Sequence, residues 1–90
     1  MFNVIAEFEG QDSEFYNEIA AEKADLGVWE VDECSARCTM QFPDMGSMVR
    51  VLLENDTDFT DEELAEIANN ETTIIEQGRG VHFTVVNKTL

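Results

Sequence analysis

Twenty Asp and Glu stand against five Lys and Arg in a chain of 90 residues, a formal net charge of −15, and any fold of this chain must keep almost all of those carboxylates in water. An ion taken out of water without a partner costs several kcal/mol, and the cations are too few to pair with more than a quarter of the acids. The acids therefore mark the outer side of each segment, and the apolar residues between them mark the inner side. Self-repulsion at this charge opposes compaction, yet 43% of the residues are hydrophobic, enough to form a core rather than a disordered chain. A chain of this length hides roughly 60–65% of its unfolded surface. That allows one domain over residues 1–90, with one core and one binding face, and excludes a deep cleft between two lobes.

Within that limit the spacing of apolar residues predicts the elements. Residues 2–8 alternate, with Phe2, Val4, Ala6 and Phe8 on one side and Asn3, Ile5 and Glu7 on the other, the period of a half-buried strand. Asp12 and Ser13 suit a helix N-cap, and Phe15, Ile19 and Leu26 fall on one stripe, predicting a helix over 13–25 closed by Gly27. The β-rich stretch 28–42 is too long for one strand. The small residues Ser35 and Ala36 near its middle predict a hairpin with a three-residue loop over 35–37 and Cys34 opposite Cys38. After Pro43, Asp44 caps a second helix carrying Met45, Met48, Val49, Leu52 and Leu53 at i, i+3, i+4, i+7 and i+8. Thr60 and Glu63 have capping-box spacing and begin a third helix, with Leu64, Ile67 and Ala68 inward. Strands over 72–77 and 81–86, joined by Gly78-Arg79-Gly80, form a terminal hairpin. The order β, α, β, β, α, α, β, β predicts an α+β fold: a small antiparallel sheet of four or five strands with two or three helices on one face. The topology expected first is a ferredoxin-like β-α-β-β-α-β core with one extra strand.

The charge selects among partners. Direct binding of nucleic acid needs a basic footprint that the chain lacks, and an anionic membrane surface is disfavoured for the same reason. No apolar run approaches the ~18–20 residues of a membrane span. The first residues lack the basic head and apolar stretch of a secretion signal. A cytoplasmic protein is expected, in a host cytoplasm if viral, with Cys34 and Cys38 as free thiols.

The acids are gathered rather than scattered. Ten lie between Glu7 and Glu33 with Lys23 as the sole base, and eight lie between Glu54 and Glu71 with none. Glu14, Glu18 and Glu22 are four apart and Asp25 follows at three, so they share one helical face, about 6 Å apart along the axis. Such like-charge pairs cost a helix about 0.2–0.5 kcal/mol each. No Lys or Arg stands three or four positions away to offset them, whereas a surface tuned for solubility mixes signs. Salt-adapted chains favour Asp, and here Glu leads by thirteen to seven. Carboxylates in rows on rigid helices imitate a nucleic-acid backbone, which carries one charge per ~3.4 Å of each strand. In size and charge the chain resembles, as a class, the small acidic viral proteins that block restriction, CRISPR or repair enzymes by occupying their basic grooves.

Other chemistry is weakly signalled. Asn55 to Glu63 resembles a calcium loop, but with Asp56 as position 1 it places Asp61 where Gly is needed and Ile67 where a bidentate Glu is needed. Cys34, Cys38 and His82 fall short of a four-ligand zinc set. A Cys–His nucleophile is disfavoured by Glu30, Asp32 and Glu33, whose charge opposes a thiolate. Trp29 and Tyr16 suit either a core or an interface anchor.

The expected function is therefore non-catalytic. A binding protein would occupy the basic, nucleic-acid-binding surface of a target, most specifically as a viral DNA mimic with anti-CRISPR or anti-restriction action. The residues expected to meet the partner are Glu14, Glu18, Glu22, Asp25, Glu54, Asp56, Asp58, Asp61, Glu62, Glu63 and Glu66. No cofactor, metal or membrane is implied. The alternative is a cytosolic interaction or assembly module whose acidity serves solubility or salt adaptation, with the acid-free strand 81–86 pairing with another chain, as in a homodimer.

Overall fold

The alternating residues at the start form β1 (Phe2–Glu9), which becomes the middle strand of the fold. The computed structural model describes residues 2–54, 57–78 and 80–87. After β1 come α1 (Ser13–Glu22), a 3₁₀ turn (Ala24–Leu26), β2 (Val28–Val31), β3 (Ser35–Phe42), α2 (Met45–Glu54), α3 (Asp61–Asn69), β4 (Thr72–Glu76) and β5 (Val81–Asn87). The sheet order is β2-β3-β1-β5-β4, and each neighbouring pair is antiparallel. β1 and β2 thus run parallel with β3 between them, joined by α1. β3 and β5 likewise flank β1, with α2 and α3 in the crossover. This is the expected ferredoxin-like order, with β4 as the additional strand at one edge.

The core lies on one face of the sheet. Val4 and Ala6 of β1, Cys38, Met40 and Phe42 of β3, and Phe83 and Val85 of β5 pack there against Met48 and Leu52 of α2 and Ile67 of α3. α1 lies over β2 and β3, and α3 over β4 and β5. The helix starts follow their caps. Asp12 Oδ1 accepts from the Phe15 amide at 2.9 Å, Asp44 Oδ1 from Ser47 at 2.7 Å and Thr60 Oγ1 from Glu63 at 3.1 Å. The Ser47 amide bond also holds the Asp44 carboxyl below its ordinary 3.8, since it favours the charged form.

Three expectations are corrected. The β2–β3 turn falls over residues 32–34, closed by the Asp32 amide on the Ser35 carbonyl at 2.8 Å, so Ser35 and Ala36 belong to β3. Cys38 stands opposite Trp29 rather than Cys34. The cause is the alternation Ala36, Cys38, Met40, Phe42, which buries every second residue and leaves the charged Asp32 and Glu33 for the turn. α1 stops at Glu22 rather than residue 25: the Lys23 amide makes the last i→i−4 bond, to the Ile19 carbonyl, and the Leu26 amide then closes on the Lys23 carbonyl in the tighter 3₁₀ turn. β5 is not an edge strand: it pairs with β1 on one side and β4 on the other. Its lack of acids suits a strand enclosed by two neighbours as well as it suits a free edge.

Candidate protein-binding surface

Tyr16 sets the orientation of α1. It is buried, with its ring 6.4 Å from Phe8 and its hydroxyl accepting from the Gln11 amide at 3.2 Å. With Tyr16 facing the sheet, Glu14, Glu18 and Glu22 are turned outward along the helix, and all three are exposed. Asp25 is also exposed but sits in the 3₁₀ turn beyond Lys23, so it does not continue the row by helical spacing.

In α3, Ile67 is buried against the core and Asp61, Glu62 and Glu66 are exposed. Three acids in the first turn meet the positive end of the helix dipole. Glu63 differs from the others. It is half-buried, and its Oε1 accepts from the Thr60 hydroxyl at 3.3 Å, so it belongs to the cap. Glu54 ends α2 and Asp58 lies before α3, both exposed. Asp56, and with it the first position of the calcium-like loop, lies outside the described residues. The helices share one face of the sheet, so the acids of α1 and α3 lie on the same side of the molecule, whereas Glu7 and Glu30 of the first acidic segment belong to the sheet's other face.

The opposite face is uncovered by any described element and is built from three rows running across the strands. The first is charged: Glu30, Arg37, Glu7, His82 and Glu76, one residue from each strand in the order β2 to β4. Its central carboxylate meets the Arg37 guanidinium and the His82 imidazole, with Glu7 Oε2 3.7 Å from Arg37 Nη2 and Oε1 3.5 Å from His82 Nε2. A shallow depression of about 300 Å³ lies at this end of the sheet, lined by Glu7, Glu9, Glu30, Asp32, Arg37 and His82 among others. The second row is Val28, Thr39, Ile5, Thr84 and Ile74, and the third is Gln41, Asn3, Val86 and Thr72. Val28 and Ile74 are 69% and 66% exposed, the most exposed large hydrophobics among the described residues.

Charge is thus distributed unequally. Among the described residues the carboxylate contacts to Arg37 and His82 lie on the open sheet face, while none of Glu14, Glu18, Glu22, Asp61, Glu62 and Glu66 is in an ion pair. Protein-family models, curated proteins and solved structures offer no match to the chain. No helix among the described residues is long and apolar enough to cross a membrane.

The remaining candidates resolve as structural parts. Trp29 stacks on Phe8 at 5.9 Å and donates from Nε1 to the Lys23 carbonyl at 3.0 Å, so Tyr16 holds the start of α1 to the sheet and Trp29 holds its end. A small apolar cleft of about 150 Å³ remains beneath α1, bounded by Phe8, Ile19, Leu26, Trp29 and Cys38. Both cysteines are free, Cys34 exposed in the turn and Cys38 buried. Burial pushes the Cys38 thiol up to about 11. Among the described residues no three His, Cys, Asp or Glu side chains converge to hold a metal ion.

Sequence reasoning missed the charged row of the open face. Arg37, Glu7 and His82 each stand at an outward strand position, a signal that is present in the sequence. Their meeting depends on β1 lying between β3 and β5, which the chain order alone does not state.

Proposed function

We propose that the helical layer binds a basic protein surface through its carboxylates, and that the target is a nucleic-acid-binding groove. The most specific form of this reading is a viral DNA mimic that inhibits a CRISPR, restriction or other DNA-processing complex. The observation that carries it is the exposed, unpaired row Glu14, Glu18 and Glu22 on a helix whose other side is held by Tyr16. The helix backbone that carries the row is already ordered, so binding costs only the freedom of the side chains, and their charge remains available to Lys and Arg of a partner. The geometry of the second row adds support. α1 and α3 cover opposite halves of the sheet, about 14 Å apart by strand spacing, close to the ~12 Å width of a DNA major groove.

The test is capture of targets from a lysate by the immobilised chain, with and without competing duplex DNA. The reading expects a nucleic-acid-binding protein that DNA displaces, and an affinity that falls steeply between low and high salt. Capture that neither DNA nor salt affects would overturn it. The open face, with Val28 and Ile74 exposed, favours a second reading, an assembly module whose acidity keeps it soluble.

A further inference from the structure

We infer that the open face of the sheet is a self-association surface, on which two copies of this chain pack face to face. Two such chains meet against the repulsion of −15 on each, so contact is favourable only where carboxylates are few or already paired. That place is the open face, whose central carboxylate already meets Arg37 and His82 and whose middle row carries no charge.

The three rows are self-complementary in one arrangement. A two-fold axis along the middle row stacks that row on itself, Ile5 against Ile5 of the second copy, with Val28 and Ile74 buried at the edges. The same axis turns the charged row of each copy onto the amide-bearing row of the other. In every strand that carries both, the two positions are equally spaced about the middle one. Arg37 then faces Gln41, Glu76 faces Thr72, His82 faces Val86 and Glu7 lies over the buried Asn3, so each charged side chain meets an uncharged one and no like charges coincide. The alternative axis, along β1, sets Glu7 on Glu7 and Glu30 on Glu76 and is disfavoured by like charge.

Size agrees with a reversible dimer. Five strands of this length present about 500 Å² per face from strand spacing and rise. Together that is about 1,000 Å², the lower bound for a specific interface. Both helical layers face outward in the assembly, so the dimer forms whether or not the acids have a partner.

The test is sedimentation equilibrium of the full chain alone, at low and high salt. A reversible monomer–dimer equilibrium is expected, strengthening with salt because screening relieves the repulsion between copies. This is the opposite salt response to that of a basic target, so the two proposals fail independently. Ile74→Lys, on an exposed edge position, should weaken the dimer by about tenfold or more with an unchanged circular dichroism spectrum. Val28→Lys repeats the test at the other edge should Ile74→Lys fold poorly. Leu53→Lys, an exposed hydrophobic of the helical layer, should leave the equilibrium unaltered. A wild-type chain that stays monomeric up to about 1 mM would overturn the inference. So would an association that weakens with salt, or one that Leu53→Lys disrupts as much as Ile74→Lys does.

Discussion

The thiol of Cys38 and the imidazole of His82 lie on opposite faces of the same sheet. Cys38 points into the core beneath the helices, while His82 points to the open side, where it meets Glu7 at 3.5 Å. β1 separates their strands, and no side-chain rotation brings the two groups together. A nucleophile activated by this histidine is therefore excluded at Cys38 by geometry. Burial independently keeps that thiol protonated.

Cys38 should be chemically silent in the folded protein while Cys34 reacts. A thiol reagent at neutral pH is expected to label Cys34 at once and Cys38 only with denaturant. Between its ordinary 9.0 and the folded value of about 11, the unfolded chain loses the Cys38 proton first. Stability should therefore be intact below pH 9 and fall as pH rises from about 9 to about 11, by about 2–3 kcal/mol in all. Urea unfolding of wild type and Cys38→Val across that range isolates the effect. A constant difference between the two would show that the thiol is not shielded.

The Thr60 cap should matter more than the acids beside it. Thr60→Ala removes the acceptor for the Glu63 amide and the donor to its carboxylate, and should cost about 1 kcal/mol. Glu62→Gln, exposed and without an ion pair, should change stability by less than about 0.5 kcal/mol. Denaturant midpoints of the two variants make the comparison directly.

Gly27 is held by a close approach rather than by its backbone angle. Its φ of 171° is extended backbone open to any residue, but a β-carbon there would overlap the carbonyl of Thr39. Gly27→Ala should force β2 away from β3 and cost about 1–3 kcal/mol, seen as a lower unfolding midpoint. Val28→Ala next to it, largely exposed, should be far milder.

The elements that the sequence made legible are those whose signals are local. Asp44 and Thr60 name their helix starts by type and spacing, and both caps form as expected. The alternation of β1 and the apolar spacing of α2 likewise need no knowledge of the rest of the chain. What stayed hidden depends on contact. The position of the β2–β3 turn follows from Ala36 being drawn into the core, and its small side chain looked equally suited to a loop. The inner position of β5 follows from strand order, which no periodicity records. The acidic face of α1 was legible from the four-residue spacing of its glutamates, but its inner side was read one residue off: of the stripe Phe15, Ile19 and Leu26, Phe15 stays exposed and Tyr16 takes the buried place. Glu63 was grouped with the binding acids because its place in the cap and its place in the acidic run share one sequence signal. The pairing of Glu7 with Arg37 and His82 joins residues 30 and 75 positions apart, and only the sheet register brings them together.

The α1 row offers the sharpest separation of function from stability. Glu18 lies one turn from Glu14 and one turn from Glu22, so it takes part in two like-charge pairs. Glu18→Lys converts both into attractive pairs, and the four changes together should stabilise the free chain by about 1 kcal/mol at low salt. The gain should shrink as salt is added, since exposed charges are screened. If the row binds a basic groove, the same substitution places a cation where the partner supplies its own, and affinity should fall mainly through slower association. A variant that is more stable and binds less well is the outcome expected of a row kept for recognition at some cost in stability. Chemical denaturation and association kinetics against the captured target measure the two halves separately. Stabilisation with unchanged binding would remove α1 from the interface, and loss of both would mean that Glu18 supports the fold in a way its exposed position does not explain.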